Sequence, residues 1–350
     1  MKIFKKIFIL IMVAVIITTT LVGSVQNNKS INSNATSKQL VKVGVVLSSF
    51  DDVYISLVRQ SLEKLQQENS DRVEFTYLDG KGNQAIQNEV LDSALQSNYD
   101  LLFVNLVDIS TDSVESVMNK IKQQNISAIL FNIAPFVTNS IKSYKKVIVI
   151  ATDVEQSGIL QGNLVIDAWN NNKKDIDKNG DNILQYIMLT GDRTNTLSIA
   201  RTKYSISTIN DAGIKTQELA LLPTAGSQES AQDVIQLALS NYGNGIEAII
   251  ANDDTMAIGA IRALQKNNYN NGDKRAYISV FGINGIPEAQ DLIKEGFMTG
   301  TVVQDSPAMA RALYTVGLNL IYNKPPLEGT DYKFDDSGVI IKLPYHPYIY

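Results

Sequence analysis

Between Val41 and Asn284 the chain alternates short apolar runs with longer amphipathic ones, and this rhythm leaves few folds open. "VKVGVVLSSF" is almost continuously apolar, as a strand covered on both faces must be. "VYISLVRQSLEKLQQ" follows with Ile55, Val58, Leu62 and Leu65 at helical spacing. The pair recurs as "VEFTYL" before "NQAIQNEVLDSALQS" and as "DLLFVNL" before "STDSVESVMNKIKQQ", and "ISAILFN" closes a first series. A second series opens at "KVIVIATD", with helices expected over about 154–170, 195–211 and 227–239, interleaved with "ILQYIMLTG", "IKTQELALL", "IEAIIAN" and "YISVFGIN". Strands spaced by helices imply parallel sheets with ligands held at the C-terminal ends of the strands. Two series therefore predict an α/β chain of two Rossmann-like lobes with a cleft between them.

The residues at those strand ends are mostly Asp, Asn, Gln, Ser and Thr: Ser48 to Tyr54, Asn105 to Asp108, Asn132, Thr152, Asp153, Gly191 to Asn195, Asn252 to Asp254, Asn284, Gln304 and Asp305. A ligand rich in hydroxyl groups needs such an inventory, since carboxylates accept and amides both donate and accept. A single Asp or Asn there is more often a helix N-cap. So many around one cleft bring binding to equal weight with capping.

Other chemistries are narrowed by what is missing. The 350 residues include no cysteine, which removes disulfides, thiolate nucleophiles and cysteine metal sites. The one histidine, His346, lies in the tail "LPYHPYIY", where a triad or a two-histidine metal site would be hard to build. A formal charge of −5 without a basic stripe argues against nucleic acid as a partner. No phosphate-cradling G-x-x-x-x-G-K-[ST] or G-x-G-x-x-G follows a strand.

At the N-terminus, Lys2, Lys5 and Lys6 precede an uncharged stretch from Ile7 to Val25, near the roughly 20 residues that span a bilayer. Residues 1–26 read as a signal sequence or an uncleaved membrane anchor, and 27–40 as a polar linker. The lysines precede the apolar run, so the remainder is expected outside the cytoplasm. A further stretch, "DIDKNGDNILQ", sets oxygen side chains at Asp175, Asp177 and Asn179, turns at Gly180 and adds the Asp181 carbonyl, the opening of a calcium loop. The glutamate expected at its twelfth position is replaced by Tyr186, so a plain polar turn remains the competing reading.

Taken together, "VGVVLSSFDDVYISLVRQSLE", "LLFVNLVD", "ATDVEQSGILQGNLV", "IIANDDTMAIGAIRAL" and "VFGINGIPEAQDLIKEGFMTGTVVQD" resemble the galactose/glucose-binding protein family, the extracytoplasmic receptors of sugar ABC importers. The resemblance spans about Val41 to Val339. It implies two lobes joined by three hinge crossovers, with residues 41–131 and 305–338 in the first lobe and 132–304 and 339–350 in the second. It implies no catalysis, a monomer, and a permease as membrane partner. It also implies that Asp52, Tyr54, Asn105 and Arg201 contact a monosaccharide.

Several matched positions depart. Asn195 and Leu197 stand where the family has a histidine and an aspartate, and "TAGSQES" stands where it has a tryptophan, leaving Ser227 or Gln228. The one tryptophan, Trp169, reads as helix packing instead. Asp253, Asn284 and Gln304 replace an asparagine, an aspartate and an asparagine. A buried hydroxyl without a partner costs about 1–3 kcal/mol, so these swaps imply an altered sugar specificity. For the loop, the resemblance implies structural Ca2+ with ligands Asp175, Asp177, Asn179, Asp181, a displaced Gln185, and Gln217 beside Glu218 in place of a distant glutamate. Two other outputs are weighed: a membrane-anchored sugar sensor signalling to a histidine kinase, suggested by the absent lipidation cysteine, and, more remotely, an extracytoplasmic glycosidase.

Overall fold

The computed structural model describes residues 40–133, 139–192 and 195–350. The N-terminal segment expected as signal or anchor, and the linker up to residue 39, lie outside them. Val41–Tyr350 forms one compact unit containing two six-stranded sheets. The first lobe holds β1 (Val41–Leu47), α1 (Val53–Glu68), β2 (Val73–Asp79), α2 (Gln84–Gln96), β3 (Leu101–Val104), α3 (Thr111–Gln123), β4 (Ser127–Phe131), α4 (Asn139–Ser143) and β5 (Val147–Thr152). The second holds α5 (Val154–Ile176), β6 (Ile183–Thr190), α6 (Thr196–Asp211), β7 (Lys215–Pro223), α7 (Gln228–Tyr242), β8 (Ala248–Ala251), α8 (Asp254–Lys266), β9 (Ser279–Asn284), α9 (Pro287–Lys294) and β10 (Gly300–Gln304). The chain then returns to the first lobe through α10 (Ser306–Ile321) and β11 (Ile340–Leu343), and ends in the second with β12 (Tyr345–Tyr348).

The two sheets repeat one strand order, β11-β5-β4-β3-β1-β2 and β12-β10-β9-β8-β6-β7. Every pairing is parallel except β10 with the terminal β12. The order reverses between β1 and β3 and again between β6 and β8, and a crevice opens where strand order reverses. Three crossings join the lobes: after Thr152, after Gln304 and at Pro344. Each sheet is covered on both faces, one by Leu62, Phe103 and Leu313 and its other by Val104, Met118 and Leu130 in the first lobe. Trp169 sits 4% exposed in a core of the second lobe with Tyr186 and Phe281, consistent with a packing role.

Two expected boundaries are corrected. "KVIVIATD" does not open the second lobe: β5 pairs with β4, Val147 opposite Ala128, and with β11, Val149 opposite Ile340. Its crossover helix α4 has only five residues, too short to leave a periodic signal, so the described residues 132–133 and 139–152, assigned to the second lobe, belong to the first. The segment 339–350 is likewise split, with β11 in the first sheet and β12 in the second. The helix expected over 154–170 continues to Ile176, bending at Asn172.

Capping links sequence to site. Most helices begin with Asp, Asn or Ser at the end of the preceding strand: Asp52, Asn83, Ser110, Asp153, Asn195, Ser227, Asp253 and Asp305 each accept from a backbone N–H of the first turn. The N-cap reading of the strand-end residues holds for Asp52, Asp153, Asn195, Asp253 and Asp305, and Asp52, Asn195 and Asp253 also line the cleft.

Candidate functional site

A cavity of about 270 Å³ opens between the strand ends of the two lobes. Asp52, Tyr54 and Asn132 line it from the first lobe, Asn195, Leu197, Arg201, Asp253 and Asn284 from the second, and Gln304 from a crossing. Seven of the eight sequence-derived sugar contacts are thus brought together.

Local structure fixes them. Asp52 Oδ1 accepts from Ile55 N at 2.9 Å, and Asp253 Oδ1 from Met256 N at 2.9 Å. Asn195 Oδ1 accepts from Leu197 N at 2.9 Å and from Ser198 N at 3.2 Å. Each cap holds its side chain in one rotamer and leaves its second polar atom for a ligand. Arg201 is held harder: Nη1 donates to Asn252 O at 2.8 Å, and Nη2 to Tyr345 Oη at 3.2 Å and Asn284 Oδ1 at 3.4 Å. Its Nε is buried without a partner. Gln304 Nε2 donates to Asn132 Oδ1 at 2.8 Å, tying the lobes at the cavity wall. Tyr54 is 4% exposed, and its hydroxyl, close to the Gln304 amide, meets no partner at hydrogen-bond geometry. Asn284 holds φ at 117°, a strained value for a residue with a Cβ, which a site tolerates when its surroundings over-determine it.

Burial pushes the Asp253 carboxyl up to about 6, opposed by the Met256 N–H and by Arg201. The Asp52 carboxyl is also raised, first by desolvation and against the pull of the Ile55 and Tyr54 N–H groups and Arg201. Asp52 nevertheless remains exposed to solvent. Behind both, Asp254 is fully buried, accepting from Thr301 Oγ1 at 2.6 Å and Ile286 N at 2.9 Å, and its carboxyl is pushed by burial to about 7.

Asn105 is the departure. It is 3% exposed and lies outside the cavity, where Oδ1 accepts from Ser48 N at 3.3 Å and Nδ2 donates to Phe131 O at 3.3 Å. Its amide ties together the ends of β1, β3 and β4 at the reversal of strand order. Asn132, one strand further along, lines the cavity instead; both end strands, and only the order of the strands separates the two roles.

The calcium-like loop follows α5. Asp175 lies in the last turn of that helix with its side chain exposed, and Asp177 is the first residue beyond it. Asp177 Oδ2 accepts from Asn182 N at 3.1 Å while its Oδ1 is buried without a partner. Asp181 Oδ2 accepts from Asn179 Nδ2 at 3.0 Å and from Gln185 Nε2 at 2.8 Å. Gln217 neighbours Gln185 on the adjacent strand but is exposed and makes no bond into the loop. The carboxylate that reaches the loop is Glu247, 2% exposed, whose Oε1 accepts from Lys178 N at 2.8 Å and Oε2 from Gln185 N at 3.0 Å. Its carboxyl is raised by burial and by the charges of Asp177 and Asp181. Sequence reasoning missed it because it lies just before β8, 62 residues from Gln185. Among the described residues no three acidic or histidine side chains converge on one point as a metal cluster.

A profile of the periplasmic binding protein domain matches residues 43–325. The D-galactose/methyl-galactoside binding periplasmic protein MglB of Haemophilus influenzae is 32% identical over 305 residues, 87% of this chain and 88% of that protein. The ribose import binding protein RbsB of Salmonella typhimurium is 25% identical over 81% of this chain and 86% of its own length. Among solved structures, an ABC transporter solute binding protein of Bacillus halodurans with bound myo-inositol superposes with a TM-score of 0.70 at 21% identity, covering 89% of this chain and 95% of that one. A two-lobed α/β receptor with a polar cleft is the class that fold and cavity define, and the chain belongs to the periplasmic binding protein family. Its relatives bind solutes and are not enzymes.

Proposed function

We propose that the cavity binds a monosaccharide or a close polyhydroxylated relative outside the cytoplasm, and that the chain delivers it to an ABC importer by closing its lobes. The observation that carries this reading is the lining itself. Carboxylate, amide and guanidinium groups from both lobes, each locked by a cap or a backbone bond, face one cavity of single-sugar size. Rigid donors and acceptors recognise hydroxyl groups at low entropic cost. Three crossings between otherwise separate sheets are the construction that hinge closure uses. MglB and RbsB carry galactose binding and ribose import in their names, which favours import over the sensing output and over hydrolysis. Titration calorimetry against galactose, glucose, ribose, allose and myo-inositol tests the reading, and an absence of heat from all of them sinks it.

The loop at Asp177 fits a structural cation as a second element of this reading. Asp177, Asn179, Asp181, Gln185 and Glu247 offer oxygen atoms of the kind calcium takes, and the unpartnered Asp177 Oδ1 is an acceptor without a donor. The internal bonds of Asn179 and Gln185 to Asp181 support the alternative of a self-satisfied turn. A melting temperature that rises with calcium and falls with chelator supports the ion; an unchanged one supports the turn.

A further inference from the structure

Strand order gives the cavity two unlike ends. In the second sheet the loops after β8, β9 and β10 stand on one side, and those after β6 and β7 on the other. The first side brings Asp253, Asn284 and Gln304; the other brings Leu197, Ala225 and Gly226. Arg201 lies between and turns its guanidinium to the first side, through Asn252 O and Asn284 Oδ1. Leu197 is half-buried, yet it joins none of the four hydrophobic clusters among the described residues. The core therefore does not account for an apolar side chain at this wall. Nearby, Asn195 has its carbonyl oxygen engaged by two backbone N–H groups, so it keeps only its amide hydrogens for a ligand. A Cβ placed on Gly226 would meet only Asp253 Oδ2, at 3.8 Å, which leaves room beside it.

We infer that the ligand presents an apolar substituent, a ring methyl or an O-alkyl group in place of a free hydroxyl, to Leu197 and Ala225, while its hydroxyls face Asp253, Asn284 and Gln304. This rests on the sugar reading above and narrows it. A hydroxyl against Leu197 gives up its water without gaining a partner, a penalty of about ten- to a hundredfold in affinity. A methyl group there is buried with a gain of about fourfold. Asp192, Asn195 and Ser198 also line this end, so the hydroxyls beside the apolar substituent keep polar partners there.

The experiment is calorimetry on the full chain with three parent hexoses (galactose, glucose and mannose), each beside its 6-deoxy and methyl-glycoside forms. In the series that binds best, one methyl-bearing form is expected to bind at least about tenfold tighter than its parent, and the winning form tells a ring methyl from an O-alkyl group. Leu197→Asn is expected to erase or invert that ratio. Leu197→Ala, which keeps the wall apolar, is expected to shrink it without inversion, and thermal melts report whether both variants fold. Parent sugars binding as tightly as their methyl-bearing forms, or a ratio unmoved by Leu197→Asn, overturns the inference and leaves the sugar reading standing. No binding by any of the nine overturns the inference, and the sugar reading falls with it only when ribose, allose and myo-inositol also give no heat.

Discussion

Gly158→Ala places the most informative single methyl group in the second lobe. Gly158 and Gly162 lie one turn apart on α5 and let α6 approach closely. A Cβ at 158 would stand 2.7 Å from Tyr204 Cβ and 2.9 Å from Arg201 O. Carbon atoms pack at about 3.5–4.0 Å, so the helices must part by roughly 1 Å. The contacted atoms are a Cβ and a backbone oxygen, which cannot rotate aside. Such overpacking costs about 1–3 kcal/mol, or roughly 1.5–5 °C in melting temperature at this chain size. The effect reaches the cavity because Arg201 rides on the displaced turn. Its Nη2 bonds, at 3.2 and 3.4 Å, have no slack for such a shift. Ligand affinity should fall about tenfold or more, the worth of one charge-assisted hydrogen bond. Scanning calorimetry and ligand titration read the two effects separately. Ile121→Val, in a first-lobe core away from the cavity, serves as control: about 1 kcal/mol lost and affinity unchanged. If Gly158→Ala binds its sugar like wild type, the helix seam does not position Arg201 and the reasoning fails.

Three further outcomes follow from the same geometry. Asp254 has its carboxyl raised from 3.8 to about 7, so its contribution to stability is full below pH 3.8 and is lost as pH rises through about 7. Asp254→Asn can still accept from Ile286 N and donate to Thr301 Oγ1; it is expected to raise the melting temperature at pH 8, by up to about 3–4 kcal/mol of stability, and to give no gain at pH 4. An equal effect at both pH values would refute the assignment. Glu247→Gln sets an amide NH2 against a backbone N–H and should cost about 1–3 kcal/mol, and any calcium-dependent rise in melting temperature should shrink with it. Asn105→Ala should destabilise by about 1–3 kcal/mol through the orphaned Ser48 N and Phe131 O, whereas Asn132→Ala should mainly weaken ligand binding; the reverse pattern in melts and titrations would return Asn105 to the site.

The cavity shows where reading the chain stops. Asp52, Asn195 and Asp253 are legible because helix capping and a polar cleft demand the same short polar side chains at the same strand ends; all three cap their helices and line the cavity. Asn105 and Asn132 looked alike for that reason. Only lateral strand order decides that one faces its neighbours and the other the cavity. At Asp175, Asp177 and Asn179 the local pattern does not show that α5 runs to Ile176, nearly two turns past the expected end, so that Asp175 stands on the helix and Asp177 after it.

Periodicity and residue type alone determined that this chain forms two α/β lobes, that its strands are buried on both faces, and that polar side chains gather at their C-terminal ends. These are local properties, set by period 2 or 3.6 and by the orphan N–H groups of each helix start. Tertiary structure alone decided that β5 and β11 close the first sheet, that Glu247 braces a loop through Gln185, 62 residues away in sequence, and that Leu197 lines the cavity rather than a core. Each depends on which distant segments become neighbours, and no window of sequence contains both partners.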